Sequence, residues 1–235
     1  MTWVKICGIT NLEDALTAVD AGADALGFVF HEKSSRNVAT KEVQRIVANL
    51  PAEVEKVGVF VNQSPDQIAE IVDRSGLTAV QLYQQESAEA LSSYGALIPA
   101  SHKEPPKIIF VVPGDQFADP GGIHLKSGFF WGITKGFRDI LYALLLDCIS
   151  GGQFGGTGRQ FDWIKVRATV PALNLIRPTI VAGGLTASNV ATAMTLLRPW
   201  GVDVSSGVEA APGRKDPQKV REFINAVRNT DRENQ

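Results

Sequence analysis

Two short apolar runs of this chain end on residues that can move protons. TWVKIC reaches Cys7 just before Gly8, and LYALLLD ends on Asp147. Side chains of a strand alternate between faces, so Lys5 shares a face with Cys7, and Leu145 shares one with Asp147. A free cysteine alone is more often an inert buried hydrophobe. A carboxylate closing so apolar a run must either cap the next segment or face a polar cavity. Brought to one place, the two would form a general acid–base pair. Reference values of about 3.9 for a carboxyl and about 8.5 for a thiol suit neither to work near neutrality. Asp147 is therefore expected to be raised by apolar neighbours and Cys7 to be lowered by a nearby cation.

A second group of residues suits anions. In VAGGLTASNV, Gly183 and Gly184 follow an apolar run and let the backbone approach a phosphate, with a helix N-terminus expected just beyond. A lone glycine pair would more often be a tight turn. However, VDVSSGVE repeats the theme one unit later with Ser205, Ser206 and Gly207, which makes phosphate the stronger reading. Arg36, in FHEKSSRNV, is the candidate for gripping a carboxylate with two parallel hydrogen bonds. QFGGTGRQFDW matches neither a dinucleotide fingerprint nor a P-loop. His31, His102 and His124 form no ligand spacing, so no metal is expected.

The elements that must position these residues are legible as eight apolar runs: WVKICG, ALGFVF, KVGVFV, AVQLY, KIIFVV, YALLLD, TIVAGG and VDVSSG. Between most of them lie stretches of helical periodicity. Asn11, Ser64-Pro65 and Asp216-Pro217 read as helix starts, and Gly22 as a stop. Strand then helix, repeated, means parallel strands with right-handed crossovers. Eight such units predict a single (βα)8 TIM barrel over residues 1–228, an α/β fold, although counting alone does not exclude an open sheet. A frayed polar tail is expected over 229–235, and Ser101 to Asp139 makes the fifth unit irregular, with no helix assignable. Cys7, Asp147, Gly183-Gly184 and Ser205-Ser206 end the first, sixth, seventh and eighth runs, where such barrels keep their active sites, and the last two loops are their usual phosphate site. Closure would set the first strand beside the eighth. Lys5 precedes Cys7 by two as Asp203 precedes Ser205, so Lys5 and Asp203 are expected to face each other below the catalytic level, with Asp203 a candidate to touch a sugar hydroxyl as well. Burying either charge alone would cost several kcal/mol.

Composition narrows the partners. With 235 residues, 44% hydrophobic and 20% charged, the chain can bury a substantial core. A formal charge of −2 offers no broad basic surface, which argues against nucleic acid. The greasiest run, LYALLLDCI, is far short of a membrane span, and no signal segment opens the chain. Two distant cysteines, Cys7 and Cys148, fit a reducing compartment, so a cytoplasmic protein is expected.

KICG at the start, SSR after the second run, LLLD, the GGTG…FDW loop, VAGGL…NV and GVDVSSGVE…PGRKD occur in this order as far as Asp216. Together they closely resemble the phosphoribosylanthranilate isomerase family of tryptophan biosynthesis. The resemblance implies an Amadori rearrangement of a small phosphoribosyl substrate without a cofactor, by a monomer or homodimer. It also implies that Cys7 is the general base, Asp147 the general acid and Arg36 the anthranilate-binding arginine. One departure stands out. The family's fourth strand usually ends in His-Gly, whereas this chain reads QLYQQE, with Tyr83 and Gln84 in those places. Parity points Gln81 and Tyr83 inward, where a tyrosine could stack on an anthranilate ring. Another phosphosugar isomerase on the same barrel, or a catalytically silent phosphosugar-binding protein, are the alternatives.

Overall fold

The computed structural model describes residues 1–83, 106–114, 141–148 and 158–234. Eight parallel strands close into a barrel in chain order, each hydrogen-bonded to the next and the eighth to the first. They are β1 (Trp3–Cys7), β2 (Ala25–Phe30), β3 (Glu55–Val61), β4 (Ala79–Tyr83), β5 (Lys107–Pro113), β6 (Leu141–Asp147), β7 (Thr179–Val181) and β8 (Gly201–Val204). All eight apolar runs thus become strands, and the open-sheet alternative falls. The described helices are α1 (Leu12–Asp20), α2 (Thr40–Val47), α3 (Pro65–Ser75), α4 (Trp163–Val166), α5 (Thr169–Asn174), α6 (Val190–Leu197) and α7 (Pro217–Glu233). The segment after β4, most of Ser101 to Asp139 and the first part of QFGGTGRQFDW lie outside the described residues.

Local signals act where the residues predict. The Asn11 side chain accepts from the Asp14 amide at the start of α1, Ser64 and Gln67 form a reciprocal capping box on α3, and Asp216 accepts from the Gln218 and Lys219 amides on α7. Such caps satisfy amides that a helix cannot satisfy itself. Two apolar layers result. Val4, Ile6, Leu26, Phe28 and Leu146 point outward against the helices, while Cys7, Val59, Tyr83, Val111 and Leu145 point into the barrel.

The tail departs from expectation. Residues 229–233 do not fray but continue α7, because Asp231 accepts from both the amide and the hydroxyl of Thr2, at 2.9 and 2.6 Å. Arg228 adds hydrogen bonds to Asp24 and to the Thr2 and Gly22 carbonyls.

Candidate active site

A cavity opens at the C-terminal mouth of the barrel, and the sequence-predicted site residues converge on it. Cys7, Arg36, Tyr83, Asp147, Gly183, Gly184, Asp203, Ser205, Ser206 and Gly207 all line its wall. Gln81 does not line this wall. It points inward but sits a layer deeper, 1% exposed, with its Oε1 buried and without a hydrogen-bond partner.

Lys5 and Asp203 are register partners on β1 and β8, and Lys5 Nζ donates to Asp203 Oδ1 at 2.7 Å with the lysine side chain fully buried. The expected interior pair is therefore present. Gly27, opposite Cys7 on β2, makes room for it: a β-carbon there would stand 2.6 Å from Cys7 Sγ and 3.1 Å from Lys5 Cε. Burial draws the Lys5 pKa down, but Asp203 and Cys7 outweigh it and leave the ammonium above its ordinary value.

The thiol differs from expectation. Burial pushes the Cys7 pKa up, and although Lys5 and Lys215 both pull it down, Asp203 adds to the rise and the value stands above the ordinary 9.0. A buried thiolate loses more hydration than these cations return. Asp147 behaves as expected: burial raises it to about 6, against hydrogen bonds from Tyr83 and from the Cys148 amide that favour its ionised form.

Arg36 is already paired. Its Nε and Nη2 donate to Glu209 Oε1 and Oε2 at 2.8 and 2.7 Å, and Lys215 Nζ donates to Glu209 Oε1 at 3.0 Å. This uses the side edge of the guanidinium, while the two outer nitrogens form a second edge able to take another carboxylate. Gly8, with φ +79°, is required here, since a β-carbon would meet Arg36 Cδ at 2.6 Å. Glu209 and Lys215 lay within motifs read for resemblance only, GVDVSSGVE and PGRKD, and no spacing singled them out. Arg159, also on the cavity wall, was hidden in the glycine-rich run.

The two anion-type loops pack together. Gly183 and Gly184 have φ of +79° and +64°, and Asn189 braces their turn by donating to the Gly184 carbonyl and accepting from the Thr186 amide. The helix expected directly beyond the doublet starts later, at Val190. The helical turn nearest the strand ends is instead the 3₁₀ turn Ser206–Val208, directly after β8. Ser205 Oγ is buried there without a hydrogen-bond partner. Among the described residues no cluster of His, Cys, Asp or Glu could hold a metal, and no helix is long and apolar enough to cross a membrane.

A cavity at this mouth is where barrels of this architecture do their chemistry, and fold and site together define a (βα)8-barrel enzyme. The family model for N-(5′-phosphoribosyl)anthranilate isomerase matches residues 4–107 and 133–226. The isomerase of that name from Pelobacter propionicus is 42% identical over 230 residues, spanning 98% of this chain and 97% of its own. The crystal structure of the isomerase from Thermotoga maritima, described as dimeric, aligns with TM-score 0.77 at 36% identity over 97% of this chain and 100% of its own. A phosphoribosylanthranilate isomerase in complex with reduced 1-(o-carboxyphenylamino)-1-deoxyribulose 5-phosphate aligns with TM-score 0.75 at 35% identity, over 97% of this chain and 100% of its own. The chain belongs to the N-(5′-phosphoribosyl)anthranilate isomerase family.

Proposed function

We propose that this chain converts N-(5′-phosphoribosyl)anthranilate to 1-(2-carboxyphenylamino)-1-deoxyribulose 5-phosphate, the isomerisation of tryptophan biosynthesis, with Asp147 as general acid and Cys7 as general base. The observation that carries this reading is the convergence of both groups, from strands far apart in the chain, on one cavity in a member of this family. Asp147 gives its proton to the ring oxygen as the bond from that oxygen to C1′ breaks and the nitrogen lone pair forms an iminium. The Cys7 thiolate then takes the C2′ proton, leaving an enolamine. Collapse of the enol to the ketone, with a proton added at C1′, completes an isomerisation whose atoms and electrons balance internally.

Arg36, held by Glu209, offers its outer edge to the anthranilate carboxylate. Asp203 and the two glycine–serine loops take the sugar hydroxyls and the phosphate. The protein acts in the cytoplasm, as a monomer or homodimer. The test of the function is loss of substrate fluorescence on adding purified protein. Binding without turnover would favour a silent phosphosugar-binding protein, and turnover of other phosphosugars alone would favour a different isomerase.

Arg36→Ala is expected to raise KM by about 10- to 100-fold, the worth of one or two charge-assisted hydrogen bonds, with a smaller change in kcat. An unchanged KM in steady-state kinetics would refute its role. Gly207→Ala tests the phosphate loops, because a β-carbon there would lie 1.9 Å from the Leu185 carbonyl oxygen and force the two loops apart. Inorganic phosphate, titrated calorimetrically, is expected to bind about tenfold more weakly or worse. An affinity equal to wild type would remove these loops from the site.

The pH dependence has a definite sign. With Asp147 at about 6 and Cys7 above 9.0, the working combination of protonated carboxyl and thiolate is the minor tautomer of the singly protonated pair. The fraction in that tautomer does not change with pH, so kcat/KM follows the singly protonated total. It is expected to rise through about pH 6, where Asp147 titrates, and to fall only above the titration of the thiol. A fall beginning near pH 6 would mean that protonated Asp147 works without an ionised thiol, and would remove Cys7 as the base.

A further inference from the structure

We infer that Tyr83 is a positioning residue for the acid, holding the Asp147 carboxyl in the plane from which it delivers its proton, rather than a platform for the aromatic ring of the substrate. The inference rests on the reading of Asp147 as general acid. Tyr83 ends β4 and Asp147 ends β6, so the contact between them passes across the whole width of β5. Tyr83 Oη donates to Asp147 Oδ2 at 2.6 Å, while the Cys148 amide donates to Oδ1 at 2.7 Å. One donor on each oxygen fixes the carboxyl against rotation, since turning about its bond to Cβ would break both hydrogen bonds. Each oxygen keeps a second lone pair, so the group can still carry and release a proton.

Gly183 completes the seat, because a β-carbon there would stand 3.1 Å from Asp147 Oδ1. Tyr83 and Asp147 are both about 95% buried, so each hydroxyl or carboxyl contact counts for more than it would in water. The charged and titratable groups acting on Asp147 among the described residues are Asp203 from β8 and Lys5 from β1, with Tyr83 from β4; Cys7 from β1 acts on Tyr83. Asp203 opposes ionisation of Asp147, and Lys5 and the Tyr83 hydroxyl favour it. A phenol with a negative partner is itself hard to ionise, and Tyr83 is pushed well above its ordinary value by burial and by Asp147. Tyr83 therefore stays a donor throughout the working range.

The test is Tyr83→Phe, which removes only the hydroxyl. The Asp147 carboxyl is followed by carbon-13 NMR in protein labelled at aspartate, its resonance assigned by its loss in Asp147→Asn, and kcat/KM is measured against pH in parallel. Loss of a hydrogen bond to a charged group is expected to move the Asp147 titration, and with it the rising limb of kcat/KM, up by about one pH unit. The substrate phosphate titrates identically with both proteins and drops out of the difference. Tyr83→His, which keeps a donor, is expected to return the titration toward wild type. An unmoved titration in Tyr83→Phe, or a histidine variant that titrates like the phenylalanine one, would overturn the inference. A moved titration in Tyr83→Phe alongside an Asp147→Asn protein of wild-type kcat would remove Asp147 as the acid while leaving the pairing intact.

Discussion

Asp147→Asn is expected to lower kcat by about 10²- to 10⁴-fold and at the same time to make the protein more stable in mild alkali. The first effect is the loss of a general acid, because an amide offers no proton that the ring oxygen can take in the transition state. The second follows from linkage. The folded carboxyl titrates at about 6 against an ordinary 3.8, so the folded state holds this proton more tightly than the unfolded chain does. The stability it contributes is complete below about pH 3.8 and is lost as pH rises through about 6. Above that, the buried charge costs up to about 3 kcal/mol relative to a neutral group, or several degrees of melting temperature in a chain of this size. The amide is close in shape to the carboxyl. Its oxygen still accepts from the Cys148 amide, and Tyr83 can turn its hydroxyl to meet the new NH₂ group. Thermal melts at pH 5 and pH 8 check the point: the variant gains on wild type about twice as much at pH 8 as at pH 5, a difference of about 1 kcal/mol. A variant equally stable at both, relative to wild type, would mean that Asp147 ionises freely.

Cys7→Ala is expected to remove the base and lower kcat by about 10²- to 10⁴-fold while KM changes little, since the thiolate acts on the moving C2′ proton and not on the bound ground state. Steady-state fluorescence kinetics read both parameters. The substitution leaves the Lys5–Asp203 pair in place, so the fold is retained and the loss is chemical. Cys7→Ser serves as a control, because its hydroxyl fills part of the same space yet is too weak an acid to supply an anion near neutrality. Wild-type kcat in either variant would require another base on the cavity wall.

The strands were legible because a buried parallel barrel demands apolar runs of a few residues, and eight of them stand out between capped helices. The Lys5–Asp203 pair was legible for a related reason, in that equal offsets from two strand ends become equal heights once β1 meets β8. What escaped was contact between residues whose separation carries no period. Glu209 reaches Arg36 from 173 positions away, and Tyr83 reaches Asp147 across an intervening strand. The direction of the Cys7 shift also escaped, because a neighbouring cation can be inferred from strand parity but the depth of burial that opposes it cannot. The last residues of the chain misled for their polarity. Asp231 looks like a solvated tail residue until Thr2 is seen to donate to it twice.

That last contact ties the first strand to the final helix, as the Lys5–Asp203 pair ties the first strand to the last. A nascent polypeptide that has not yet reached β8 would therefore hold Lys5 in an unzipped wall without the Asp203 carboxylate that pairs it. The sulfur of Cys7 therefore meets its working environment only once β8 has closed on β1. Because Thr2 and Asp231 are already clasped side by side, a short peptide could bridge the chain there and new ends be opened elsewhere, and such a circular permutant would inherit the same seam.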